Sequence, residues 1–339
     1  MWQSAVRPIQ LRRPIRRWKI VALFLDHISP RQTRTPPCLM PSRTTTQKQS
    51  PDRLARRPLS TNIGLWQLVR MLGEGQWTKV FQARPSAGDD EHAADYTLKV
   101  LKPECQHDPI AIQLLQREAF VAQQVRSPHL ATILSAHVER APRFVVLPFI
   151  QGATIEQAIS ATGCLNVPHA LWITRQVGKG LRALHIGGWL HGDVKPSNIL
   201  VSETGHATLI DFGFARQVAS AEANEQLLAT SLTYAPPEAF NPHVAFSPAS
   251  DIYSLGITLF EMLTGHRPFP EDDACELAAA HLVKPMTDPR VWRPQLASRV
   301  LRLLRRMLAK EPLRRPSSDE LIDWLVELEV ETFDERVPA

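Results

Sequence analysis

From Leu65 onward, short apolar runs alternate with polar residues at a period of two, which predicts strands. Leu65 to Leu72 leads into a glycine-containing turn, Val80 to Ala83 leads out of it, and Tyr96 to Leu101 forms a third strand. The stretch Ala87 to Asp95 is acidic, contains glycine and is expected to be a loop. The spacing then lengthens to a helical one over Ile110 to Val125. Asp108-Pro109 introduces that helix as a capping carboxylate and a first-turn proline. Arg143 to Ile150 predicts one more strand, ending at Gly152.

Beyond Gly152 the helical period dominates. Ala170 to Leu184 predicts one long helix. Asn198 to Ser202 and Ala207 to Ile210 flank Glu203-Thr204-Gly205, which signals a hairpin. Ser247-Pro248 caps a helix carrying Ile252, Leu255, Leu259 and Met262, and Gly265 stops it. Ser317 and Glu320 make a capping box ahead of Leu321, Leu325 and Leu328. No internal repeat is visible. The expected architecture is α+β: a small strand-rich lobe over residues 65–150, then a larger, mainly helical lobe over 151–329.

Charge divides the chain differently. Residues 1–60 hold 13 Lys/Arg and 2 Asp/Glu, whereas the remainder of the 339 residues holds 26 basic and 32 acidic side chains. The excess of positive charge therefore belongs to the leader and not to the folded body, so no specific nucleic-acid surface is expected there. The leader's one apolar run, Ile20 to Leu25, is far below the ~20 residues of a membrane span. Arg12, Arg13, Arg16 and Arg17 give it a weak transit-peptide character, and its Pro/Arg/Thr-rich remainder reads as disorder. Met40 is a second candidate start, which would leave residues 1–39 untranslated, and residues 330–339 form a short tail. Cys38, Cys105, Cys164 and Cys275 form no CxxC pair, as expected of reduced thiols in a cytoplasmic protein.

The chemistry concentrates in two places. Gly73-Glu74-Gly75 sits at a strand–turn–strand, where glycine lets backbone N–H groups approach an anion; alone it is a weak signal. Lys99 in the third strand and Glu118 on the following helix are a candidate ion pair. The strong signal is His191-Gly192-Asp193-Val194-Lys195-Pro196-Ser197-Asn198 followed across a hairpin by Asp211-Phe212-Gly213. An aspartate and an asparagine on one loop suit a hydroxyl acceptor and a metal ligand, and the second aspartate suits a divalent cation beside phosphates.

These segments resemble the motif set of the eukaryotic-type serine/threonine protein kinases over residues 65–329. The resemblance implies a two-lobed kinase fold, with an antiparallel-sheet N-lobe containing one helix and a mainly helical C-lobe. It implies transfer of the γ-phosphoryl group of ATP, with Mg²⁺, to Ser or Thr hydroxyls of protein substrates. Asp193 would be the catalytic base, Lys195 would meet the γ-phosphate, and Lys99 would pair with Glu118. Asn198 and Asp211 would hold Mg²⁺. Leu72, Gly73, Gly75, Val80, Thr97, Lys99, Leu147, Phe149, Ile150 and Leu200 would line the ATP site, with Leu147 as gatekeeper and Pro148-Phe149-Ile150 as hinge. Glu238 and Arg315 would pair structurally, and Asp251 would anchor the catalytic loop. His185 is expected to pack and His191 to order the loop. Lys195-Pro196 favours serine and threonine over tyrosine.

Three departures qualify the resemblance. Thr78 stands at the third glycine of the phosphate loop, Pro148 stands where hinges often carry an acid, and Gly192 replaces an arginine that binds an activation-segment phosphate in many members. Gly192 leads to the expectation that the segment Asp211–Glu238 orders without phosphorylation. Two rival readings are a small-molecule phosphotransferase of the aminoglycoside or choline kinase type, which also shows His-Gly-Asp, and a pseudokinase acting as a binding module. The substrate, the activating signal and the oligomeric state are not legible in the chain.

Overall fold

In the computed structural model, residues 62–87, 93–218, 232–241 and 243–332 are described. The leader, the centre of the 87–95 loop and residues 219–231 of the activation segment, including Ser220, Thr230 and Ser231, lie outside them.

The first half builds a twisted antiparallel sheet. Its strands are β1 (Asn62–Ile63), β2 (Trp66–Glu74), β3 (Thr78–Pro85), β4 (Tyr96–Leu101), β5 (Ser135–His137) and β6 (Phe144–Pro148), in the order β1-β2-β3-β4-β6-β5. Alternation sends Leu68, Ala83, Leu98, Val100, Phe144 and Val146 into one buried face. The opposite side receives helix α1 (Pro109–Gln124), where Ala111, Leu115 and Ala119 meet Leu101 and Val145. Asp108 caps α1 as expected, its side chain accepting from the backbone N–H groups of Ile110 and Ala111 at 2.8 and 3.2 Å.

The expected strand over Arg143 to Ile150 stops at Pro148. Proline offers no N–H to a ladder, and the chain leaves the sheet there, with Phe149 N–H donating to the Asp95 carbonyl at 2.7 Å. Gly152 opens a new strand, β7 (Gly152–Thr154), instead of ending one.

The second half is helical: α2 (Ile155–Thr162), α3 (Val167–Ile186), α4 (Pro248–Thr264), α5 (Ala274–Val283), α6 (Ser298–Met307) and α7 (Ser318–Glu331). Helices α3 and α4 run through its centre and bury Leu171, Leu181, Leu184, Ile252, Leu255 and Leu259 completely. Burying each leucine contributes about 1.5–3 kcal/mol. Gly265 ends α4 in the left-handed conformation at φ 74°, as its sequence position predicts. The capping box at Ser317 and Glu320 forms with both bonds in place.

Against this helical core lies a small sheet, β10-β9-β7, with β9 (Ile199–Ser202) and β10 (Ala207–Leu209) as the predicted hairpin. A two-strand ribbon pairs β8 (Trp189–Leu190) with β11 (Arg216–Gln217). These strands carry the loops of the site between the lobes. The α+β order expected from the sequence, a small antiparallel sheet with one helix followed by a larger, mainly helical half, is the one observed. Among the described residues, no helix is long and apolar enough to cross a membrane.

Candidate active site

The sheet registers bring the N-lobe candidates into line. Gly73 stands opposite Val80, Val80 opposite Lys99, and Thr97 opposite Leu147. Leu147 and Pro148 close β6, Phe149 and Ile150 follow in the link to the C-lobe, and Leu200 lies on β9 opposite Thr154. Gly75 N–H donates to the Thr78 carbonyl at 2.8 Å and closes the glycine turn. A Cβ built on Gly75 would lie 3.7 Å from Thr78 Oγ1, so the Thr78 hydroxyl sits over the turn.

Lys99 is the hub. Its Nζ lies 2.7 Å from Glu118 Oε2 and 2.8 Å from Asp211 Oδ1. Burial opposes its charge, but the two carboxylates outweigh burial and hold the ammonium above its ordinary value. Two acids thus share one cation. Burial pushes Glu118 up to about 7, with the neighbouring Asp211 charge acting in the same direction against Lys99. Burial also acts to raise Asp211, but Lys99 and the Gly213 N–H hold it below the ordinary carboxylate range. Glu118 is therefore the carboxylate of the pair that accepts a proton first.

Asp211 adopts φ 70°, the one left-handed non-glycine residue among those described. Such a backbone persists only where its surroundings fix it. Here Lys99 holds the carboxylate, and Phe212, 1 % exposed, anchors the next residue in the C-lobe core with its ring edge-on to His191.

The second cluster centres on Asp193. Lys195 Nζ lies 2.7 Å from its Oδ2, and Asn198 Nδ2 donates to that oxygen at 2.9 Å and to the Asp193 carbonyl at 2.8 Å. Burial raises the Asp193 carboxyl, with Lys195 opposing. The Asn198 amide nitrogen is spent on Asp193, which leaves Oδ1 as its atom for a cation. Ile210 N–H donates to the Asn198 carbonyl at 2.9 Å, which ties this asparagine to the residue preceding Asp211. One carboxamide oxygen and the second Asp211 oxygen are hard donors of the kind Mg²⁺ takes, so the residues fit such an ion.

Buried groups fix the loop from behind. Asp251 accepts from His191 N–H at 2.8 Å and from Gly192 N–H at 2.9 Å. His185 joins Asp251 Oδ2 at 2.9 Å to Ser318 Oγ at 2.8 Å, so it bridges three helices through hydrogen bonds and does more than pack. Asp193 N–H donates to His191 Nδ1 at 3.2 Å, which leaves Nε2–H of His191 to donate to the Ile210 carbonyl. Burial holds His191 below its ordinary value, hence neutral and in that tautomer.

Gly192 has φ 77°, and a Cβ there would lie 2.5 Å from the Phe214 carbonyl oxygen. At this backbone conformation the position requires glycine. Arg315 clasps Glu238 with two bonds of 2.7 and 2.8 Å, both side chains at most 1 % exposed.

Two supports lie outside the sequence expectations. Lys102 Nζ binds Glu74 Oε1 at 2.8 Å and tethers the glycine turn to the end of β4. Trp77 packs its ring 6.1 Å from Phe214, joining that turn to the segment after Asp211-Phe212-Gly213. Both contacts join segments distant in the sequence, with no period to betray them.

The family described as "Protein kinase domain" matches residues 66–325. Similar proteins include serine/threonine-protein kinase PknA of Mycobacterium tuberculosis, 32 % identical over 262 residues, covering 75 % of this chain and 59 % of the relative. PknH of the same organism is 32 % identical over 262 residues, covering 76 % and 40 %, and PrkC of Bacillus subtilis is 30 % identical over 258 residues, covering 76 % and 39 %. The chain thus spans about three fifths or less of the length of these curated relatives. With the lobes, the lysine hub and the aspartate loop in place and the family match running across both lobes, the chain belongs to the protein kinase family.

Proposed function

We propose that this chain is a serine/threonine protein kinase that moves the γ-phosphoryl group of ATP to hydroxyls of protein substrates. The observation that carries the reading is the shared carboxylate of Asp193. A lysine and an asparagine converge on its Oδ2, while Lys99 holds Asp211 across the cleft. Phosphoryl transfer asks for positioning and charge neutralisation more than covalent work.

In this reading Lys99 and the Gly73–Gly75 turn hold the phosphates. Leu72, Val80, Thr97, Leu147, Phe149, Ile150 and Leu200 surround the base and ribose. Backbone groups flanking Phe149 meet adenine, since Phe149 N–H is already bonded to Asp95. Asn198 Oδ1 and Asp211 would hold Mg²⁺, which would supply neutralisation of phosphate charge. Asp193 accepts the hydrogen bond of the attacking hydroxyl, and its raised carboxyl places it nearer the pH at which it must take up a proton. Lys195, bound to Asp193, is placed to steady the transferred group. The preference for serine and threonine rests on Lys195-Pro196 together with the named relatives. The kinase domain is assigned to 62–332 and not to the expected 65–329, because β1 at Asn62–Ile63 pairs with β2 and helix α7 runs on to Glu331. The reaction is assigned to the cytoplasm, where ATP is supplied.

The test is incubation of the full chain with γ-labelled ATP, Mg²⁺ and degenerate peptides carrying serine, threonine or tyrosine. Label on serine and threonine is expected. Label on tyrosine alone, or only on aminoglycosides or choline, would replace this reading.

A further inference from the structure

We propose that His281 is a positioning residue for the protein substrate, a role that rests on the kinase reading above: its buried Nε2–H waits beneath the Leu232–Tyr234 turn and closes onto that turn's backbone when a polypeptide occupies the cleft. Tyr234, Ala235, Pro236 and Ala239 line one cleft together with Asp193 and Val194. A hydroxyl aimed at Asp193 arrives in that cleft, so the polypeptide that carries it lies against the turn.

His281 lies on helix α5 and is fully buried. The apolar cluster of Tyr253, Ile257, Phe269, Leu277 and Ala280 beside it carries Leu232 and Tyr234 on its edge. The backbone groups of Thr233 and Leu232 lie against the His281 ring and favour a proton on it, as carbonyl acceptors do. Phe240 stacks on the same ring at 5.8 Å, and Phe269 meets it edge-on at 4.9 Å. One histidine thus touches both ends of the 232–240 segment, and the two phenyl rings restrict its rotation.

The neighbours set its tautomer. The Lys310 ammonium can only donate, and its Nζ lies 3.0 Å from the Ala280 carbonyl and 3.5 Å from the Tyr253 hydroxyl oxygen. The Tyr253 hydroxyl is then free to give its own proton to His281 Nδ1, 3.1 Å away. Burial and the Lys310 charge push His281 down to about 4, against the opposing Glu271 carboxylate, so the ring is neutral near neutral pH. With Nδ1 accepting, the one ring proton sits on Nε2. That atom is buried and has no hydrogen-bond partner among the described residues. Leaving a buried N–H unpaired is costly. The Leu232 carbonyl already accepts from Ala235 N–H at 3.2 Å, so the Thr233 carbonyl is the acceptor on which the bond closes. A polypeptide seated on the turn presses it toward α5. The bond is gained in the occupied state alone, so it appears as affinity for the substrate.

The experiment uses the full chain with ATP, Mg²⁺ and the degenerate serine peptides, comparing wild type with His281→Phe and His281→Gln. Phenylalanine fills the same space and keeps the ring contacts but has no donor, whereas the glutamine amide reaches the Nε2 position. His281→Phe is expected to raise KM for peptide about tenfold while kcat and KM for ATP stay within about twofold of wild type. His281→Gln should restore the peptide KM. In wild type labelled with ¹⁵N-histidine, saturating peptide should move the His281 Nε2–H resonance downfield and slow its exchange with solvent. An unchanged peptide KM in His281→Phe, a glutamine variant as impaired as the phenylalanine one, or parallel losses in kcat and both KM values would overturn the role. So would an Nε2–H resonance that saturating peptide leaves unmoved, and that measurement decides the matter if His281→Phe fails to fold. A wild type that labels no peptide sinks the kinase reading and this role with it, whereas a labelling wild type beside an unaffected His281→Phe sinks this role alone.

Discussion

Lys99 faces two carboxylates with one charge, and the competition between them has a measurable consequence. Glu118 titrates near 7 while Asp211 stays ionised, so acidification through that range takes one carboxylate from the lysine that would hold ATP phosphates. ATP affinity of wild type should fall as pH drops through about 7, and Glu118→Gln should be weaker throughout but lose that pH dependence. An acidic limb that persists in Glu118→Gln would show that another group causes it. The stability effect has the opposite sign. Glu118 has a folded value above its ordinary 4.5, so its contribution to stability is fully present below 4.5 and is lost as pH rises through about 7. That Lys99, Glu118 and Asp211 meet, and that Asp193 and Asn198 meet, was legible through the resemblance of their motifs to a known family, which fixes their order along the chain. The left-handed backbone of Asp211 was not legible, because only the fold around it stabilises a conformation that aspartate rarely adopts.

Elements with a clear cap or stripe were readable, and those without one were not. Asp108 and Ser317 cap their helices as the sequence indicates. Asp108→Ala should cost about 1 kcal/mol in denaturant unfolding, and a loss near zero would show that Pro109 alone starts the helix. Helix α5 was missed because its alanines leave no apolar stripe. Helix α6 does carry one at Val300, Leu303, Leu304 and Met307, and that spacing is the signal that would find it. Strand β7 escaped because Gly152 reads as a terminator until β9 supplies its partner. The Arg315–Glu238 pair was expected through the family resemblance alone, since the two stretches carry no local mark of their contact, and the structure forms it. Because both charges are buried, Arg315→Met should destabilise the protein by about 3–5 kcal/mol, whereas a double change to Arg315→Met and Glu238→Leu should recover most of that loss. Equal stability of the single and double variants would show that the carboxylate finds another partner.

Over the molecule as a whole, the two lobes contribute to one cleft and the basic leader contributes no residue to it among the expected roles. A chain starting near Ser60 should therefore keep its transfer rate on a peptide. Collapse of solubility or activity would show that residues 1–60 pack on the kinase body. The lobe order was readable because the hydrophobic period switches from two to 3.6 near Gly152, whereas the β8–β11 ribbon that carries the catalytic loop depends on pairing between distant segments. The claim that Asp193 aims the hydroxyl while Asp211 serves the nucleotide is tested most directly by measuring, side by side, ATP·Mg²⁺ affinity and peptide phosphorylation rate for wild type, Asp193→Asn and Asp211→Asn. Asp193→Asn should bind nucleotide within about twofold of wild type and lose about two to four orders of magnitude in kcat. Asp211→Asn should lose nucleotide affinity and transfer together. Wild-type turnover in Asp193→Asn, or identical losses of affinity in both variants, would contradict it.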